Sequence, residues 1–346
     1  MLWETLFAAK AGSRGGVSHN RPAHLRNPLS PDISLPDLSS PDARLPPGVQ
    51  VFERGWLSAN NILMLGPDQA VLVDSGYATH ASQTLALVQR ALGARPLDLL
   101  VNTHLHSDHC GGNAALQARF PDLEVWIPPG EAQAVREWDE ARLSYRPTGQ
   151  QCPRFTFDAL LAPGTEIELG GARWQVHAAP GHDPHAVILF EPHRRALISG
   201  DALWERGFGV VFPEMWGEPS FAEVGASLDL IAALEPRVVI PGHGRVFDDV
   251  DAALDVARQR LDAFVQSPQR HARHAVKVLL KFKLLERQRM TRGELDAWLA
   301  GAGYLAQVHR IHGADTPIRG WVDSMLEELA RAGALSMAGD LIIDAG

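Results

Sequence analysis

Within six positions the chain places His104, His106, Asp108 and His109, directly after the apolar run Leu97–Val101. Imidazole and carboxylate are the donors that Zn²⁺ and Fe²⁺ accept most readily, and a loop can converge several of them only where a rigid strand stops. A chance H-x-H-x-D-H in a chain of this composition has a probability on the order of 10⁻³. Three further donors stand in the same kind of setting: His182 in HAAPGHDPHAVILF, Asp201 in ALISGDALW and His243 in VVIPGHGRVF. Each follows a strand-like segment, so all seven can gather at one end of a pair of sheets.

The elements that would position them are legible as short apolar runs bounded by Gly, Pro, Asn or Asp. Strands are expected at 61–65, 70–74, 97–101, 124–128, 173–177, 186–190, 195–199 and 237–241. Helical patterns at 79–92, 130–142 and 220–234 suggest helices covering the faces of sheets. After about residue 250 the texture turns helical. Ala275, Val278, Leu279, Phe282 and Leu285 make one apolar helix face, with Arg270, Arg273, Lys277 and Lys281 on a roughly opposite one. Thr291 and Glu294 form a capping-box pair, and the C-terminus reads as helix, glycine stop and two short strands. The expected division is an extended Pro-rich arm over 1–48, a catalytic domain over 49–250 and a helical, winged-helix-like domain over 251–346.

With 346 residues the chain is long enough for about two units and a sizeable core. Its 45% apolar and 21% charged content is that of a globular protein. No run approaches the roughly 18 apolar residues of a membrane span, and the N-terminus does not read as an export signal. Two cysteines, Cys110 and Cys152, are too few for a disulfide framework, so a cytoplasmic setting without membrane contact is expected. A net charge of −9 argues against broad nucleic-acid binding. The basic helix near 270–292 is the one place where a phosphate or a nucleic acid would be held.

The motifs HLHSDH, PGHDPH, SGDAL and IPGHG together resemble the metallo-β-lactamase superfamily, and within it the hydroxyacylglutathione hydrolase (glyoxalase II)-like branch, over roughly residues 49–250. The resemblance implies a four-layered αββα sandwich, an α/β (α+β) fold. It also implies one metal on His104, His106 and His182, a second on Asp108, His109 and His243, and Asp201 bridging both. Zinc is the expected metal, with iron or manganese as alternatives. Asp74 in VLVDSG matches an aspartate that orients a ligand rather than binding metal.

The implied activity is that of a metallo-hydrolase. A hydroxide activated by two metals would attack an ester-like bond of a small, possibly anionic substrate: a thioester first, a lactone or simple ester next. Asp108 is the candidate for holding the nucleophile in line, and His185, on position alone, for protonating the leaving group. The PGHDPHAV turn departs from the pattern of the glyoxalase II-like branch, which weighs against glutathione as the thiol. Alternative readings are a metal-dependent nuclease acting on RNA, a mono-iron persulfide dioxygenase-like oxidoreductase, and a non-enzymatic nucleic-acid-binding regulator. Trp204, Phe208, Phe212 and Trp216, just beyond Asp201, are candidates for an acyl-pocket wall. The segment 131–157, with Trp138 and Tyr145, is a candidate lid.

Overall fold

A computed structural model of the protein describes residues 44–346, so most of the arm expected over 1–48 lies outside the described residues. The first sheet holds β1 (Val49–Phe52), β2 (Asn61–Leu65), β3 (Ala70–Val73), β4 (Leu99–Val101), β5 (Glu124–Ile127) and β6 (Ala159–Leu160) in that spatial order. β1 to β3 are antiparallel and β3 to β6 parallel. Along this stretch run α1 (Ala81–Leu92), α2 (Ser107–Cys110), α3 (Asn113–Arg119), α4 (Ala132–Glu137) and α5 (Tyr145–Thr148). α4 is shorter than the helix expected over 130–142. Trp138 takes a left-handed φ of 58° and ends it, and the Asp139 side chain caps the next turn by accepting from the Ala141 and Arg142 amides.

β7 (Glu166–Leu169), β8 (Ala172–Ala178), β9 (Val187–Glu191), β10 (Ala196–Gly200) and β11 (Val238–Pro241) form the second sheet, in the order β11-β10-β9-β8-β7. It is antiparallel except for the parallel pair β10 and β11. α6 (Phe212–Trp216), α7 (Phe221–Leu234) and α8 (Val250–Gln266) complete this half.

Strand periodicity explains the layering. In β3, Val71 and Val73 face the second sheet, meeting Trp174, Leu189 and Ile198, while Leu72 faces outward onto Leu87 and Leu116 of the helices. In the second sheet Ile188, Leu197 and Val239 turn the other way, onto Leu228 and Leu254 of α7 and α8. Both faces of each sheet are therefore covered, and the central strands read as unbroken apolar runs for that reason. Each such fully buried Val, Leu or Ile contributes roughly 1.5–3 kcal/mol. The result is the four-layered αββα sandwich.

Beyond it lie α9 (Pro268–Arg287), β12 (Arg289–Thr291), α10 (Arg292–Gly301), α11 (Gly303–His312), α12 (Ile318–Arg331), β13 (Leu335–Ala338) and β14 (Leu341–Asp344), with a small sheet ordered β12-β14-β13. The Thr291–Glu294 capping box opens α10 as expected. Ala275, Leu279, Val308 and Met325 build a separate core here, and it also takes in Val210 and Met215 from the segment that follows Asp201. The basic face expected on α9 is not an open one. Lys281 is 1% exposed and paired with Asp344, Arg273 and Lys277 share Glu328, and Lys283 holds Glu286.

Candidate metal centre

The donors arrive at one edge of the sandwich because five strands end there. Asp74 follows β3 and the His104–His109 loop follows the parallel β4. His182 follows β8, Asp201 follows β10, and His243 follows the parallel β11. Backbone bonds tie the two halves together across the edge. The Ala59 amide donates to the Asp108 carbonyl (2.9 Å), and the neighbouring Asn60 amide donates to the Gly242 carbonyl (2.7 Å). The Asn60 side chain also donates to the carbonyls of Pro241 and Gly244, at 3.0 and 2.7 Å.

All seven expected donors come together. The donor atoms of His104, His106 and His182 lie within 4.8 Å of one another, as do those of Asp108, His109 and His243, and those of His104, His109 and Asp201. Asp201 stands between the first two groups: Oδ2 is 3.4 Å from His182 Nε2 and 3.8 Å from His243 Nε2, and Oδ1 is 3.4 Å from His109 Nε2. His243 Nε2 is 3.1 Å from Asp108 Oδ2, and His106 Nδ1 is 2.8 Å from His182 Nε2.

Several side chains aim the donors. Asp74 accepts from His109 Nδ1 (2.8 Å), from the Thr103 amide (2.9 Å) and from the Thr103 hydroxyl (2.8 Å). The Val210 carbonyl accepts from His182 Nδ1 at 2.5 Å, which turns Nε2 toward the cluster. Trp204 donates its indole N–H to Asp201 Oδ1 at 3.1 Å. Trp56 stacks on the His243 ring, with centroids 5.4 Å apart and planes 5° from parallel.

These groups fit divalent cations. An ion about 2.1 Å from each donor separates tetrahedral donors by about 3.4 Å, within the range of spacings above. His104 Nε2 and His109 Nε2 are buried without a hydrogen-bond partner, as metal-facing nitrogens would be. Burial, reinforced by the surrounding imidazoles, keeps His104 well below its ordinary pKa and His182 down at about 4, the neutral forms a metal requires. Burial would also lower His109, but the carboxylates of Asp201 and Asp74 outweigh it and raise its pKa well above the ordinary value. Burial alone would raise Asp201, yet His243 and His109 hold it well below the usual carboxylate range. So dense a set of buried carboxylates calls for positive charge beside it.

Above the donors opens a cleft, with Asp108, Asp201 and His243 at its floor. Trp204 and Phe212 of the expected aromatic wall line it. Phe208 and Trp216 instead pack into the interior, against Phe264 and Tyr304. Of the candidate lid, Ser144, Thr148 and Gln150 reach the cleft, while Tyr145 is buried with its hydroxyl on the Leu105 carbonyl. His185 is not brought to the cleft: it is exposed, beside Gly130, and its amide donates to Asp183 Oδ1. The buried Asp183 is the group near the cluster, 3.6 Å from His106 Nε2. Trp56, Thr103 and Asn60 do not stand out in the sequence, because none belongs to a donor motif, whereas Asp183 lies within PGHDPH.

The chain matches the model of the metallo-β-lactamase superfamily over residues 54–243. It is 34% identical over 201 residues to a protein named hydroxyacylglutathione hydrolase from Acidiphilium cryptum (strain JF-5), covering 56% of this chain and 70% of that one. It is 34% identical over 172 residues to the protein of the same name from Dechloromonas aromatica (strain RCB), covering 50% and 52%. In three dimensions it resembles a metallo-β-lactamase family protein of Thermus thermophilus, with a TM-score of 0.53 and 21% identity over 86% of this chain and 99% of that one. Among the described residues no helix is long and apolar enough to cross a membrane. With its sandwich, its edge-gathered donors and this match, the chain belongs to the metallo-β-lactamase superfamily and is a metal-dependent hydrolase.

Proposed function

We propose that the protein hydrolyses the thioester bond of a small acyl substrate, with a lactone or simple ester next in order, using two divalent cations that are zinc in the first instance. The observation that carries this reading is the position of Asp201, whose carboxylate touches donors of both histidine groups. His104, His106 and His182 would hold one cation, and Asp108, His109 and His243 the other, with Asp201 shared between them. When bound, such ions would lower the pKa of water toward neutrality and polarise the carbonyl under attack.

The chain's own residues supply orientation. Asp74 fixes the tautomer of His109 by accepting at Nδ1, and Val210 does the same for His182 through its carbonyl. Trp204 restrains Asp201 Oδ1. Asp108 Oδ2 faces the cleft floor, where it can hold the proton of the nucleophile toward the substrate. The relatives named hydroxyacylglutathione hydrolase support a thioester, the bond that name denotes. Residues 49–250 would form the catalytic unit and 251–346 a winged-helix-like unit. Since the cations of α9 are largely engaged by acids of its own half, a nuclease reading gains nothing from them.

Metal analysis and a thioester panel test the proposal together. The wild-type protein should bind two zinc ions per chain. Asp108→Ala and His243→Ala should hold fewer and should lose about 10²-fold or more in kcat/KM. Equal rates in all three proteins would overturn the reading.

A further inference from the structure

We propose that the acyl group admitted to this cleft is an uncharged aliphatic chain lying along the inner face of α9, so that the C-terminal helix sets the preferred acyl length. The turnover part of this inference rests on the hydrolase reading above; the binding part does not.

Val278, Leu279, Phe282 and Leu285 of α9 line the cleft, facing the metal-site half of the molecule. They recur at the spacing of one helical face. Leu279 and Phe282 are buried in the packing of the helix, but Val278 and Leu285 remain half-buried. Their apolar surface is directed at the cleft. Trp56 and Phe212, both half-buried, add apolar surface to the same space. On the α9 side the open space is bounded by hydrocarbon and aromatic rings, with Ser144, Thr148 and Gln150 across from them and the metal donors at its floor.

The walls offer an anionic thiol no ionic partner. Among the described residues no Lys or Arg lines the cleft. Lys277 and Lys283, adjacent in sequence to Val278 and Phe282, donate instead to Glu328 and to the Gly149 carbonyl and Glu286, respectively. His274, the one further titratable group of the lining, is held neutral by burial and by Arg260 and His271 beside it. A peptide thiol bearing two carboxylates would find no side-chain cation to pair with along these walls. An aliphatic chain needs only apolar surface, and each buried methylene is worth about 0.8 kcal/mol, or about fourfold in affinity.

The test uses the full chain and uncharged thiols. Thioesters of N-acetylcysteamine with two- to eight-carbon acyl chains are turned over by the zinc-loaded protein, with S-lactoylglutathione as the anionic comparison. The matching ketones, in which a methylene replaces sulfur, are titrated calorimetrically into zinc-loaded and metal-free protein. Both kcat/KM and ketone affinity should rise about fourfold per methylene until the cleft is full. Val278→Trp should end that gain at a shorter chain, and Leu285→Ala should weaken the eight-carbon ketone about tenfold. Affinity independent of chain length, a gain unaltered in both variants, or faster turnover of S-lactoylglutathione than of the eight-carbon thioester would each overturn the proposal. A rising affinity with no turnover of any thioester would instead leave the α9 surface standing and remove the thioester reading.

Discussion

Asp74 concentrates what single residues do at this site. Its φ of 58° is left-handed, a region that few residues other than Gly, Asn and Asp visit readily, and the turn aims its carboxylate at His109 and Thr103. Asn tolerates the same backbone and keeps nearly the same shape but loses the charge. Asp74→Asn should therefore weaken zinc binding by about 10–100-fold, measured by competition with a chelator, while thermal unfolding of the metal-free protein changes little. The seven donors are legible because each sits in a short motif after a strand. Of the residues that aim them, Asp74 is legible through its VLVDSG motif, whereas Trp56 and Val210 are not. Trp56 and His243 are far apart in sequence and meet only when the sheets close. His185 misleads for a local reason: Asp183 Oδ1 captures its amide and the turn carries the ring outward to Gly130.

At the scale of elements, the loop after β11 shows how little room the site leaves. A Cβ at Gly242 would stand 2.2 Å from Asp201 Oδ1 and 2.9 Å from His109 Cε1. Gly242→Ala should shift those side chains by several tenths of an ångström and lower kcat by about 10²-fold, with bound zinc reduced. Unchanged kcat and zinc content would mean that the loop yields instead. The eight strands expected from apolar runs are all present, within about two residues of their expected bounds. β1, β6 and β7 escape sequence reading because they lie at or near sheet edges, where one side need not be apolar. β7 reads EIEL with exposed Glu166 and Glu168, and β6 has only two residues. The apolar face of α9 is plain in its periodicity. Its basic face looks open in the sequence because the acids that neutralise it, Glu328 and Asp344, lie some fifty residues or more further on.

For the molecule as a whole, the docking of α9 against the sandwich matters most. His271 is fully buried there, and its Nε2 accepts from the Val211 amide, next to the carbonyl that holds His182. Burial, with a smaller push from His312, lowers its pKa from the ordinary 6.5 to about 3. A depressed folded-state value means that the unfolded chain takes up the proton first as pH falls. The contribution of His271 is thus fully present above about pH 6.5 and is lost progressively toward pH 3. Urea unfolding of the wild type between pH 7.5 and 4.5 should show about 3 kcal/mol more loss than His271→Gln, which keeps an acceptor but cannot titrate. Identical losses would remove His271 from the account. The layered architecture is readable in advance because burial on both faces imposes a period of two and an unbroken apolar texture. The contact between the halves is not, because it joins residues as distant as Val210 and Leu305.

The seven donors come from both sheets of the sandwich, so no unfolded or half-closed chain presents them together. Cations bound there would favour the closed form over every other conformation by mass action, in proportion to the logarithm of their free concentration. The supply of metal around the protein would then govern how long the folded chain persists as well as how fast it works.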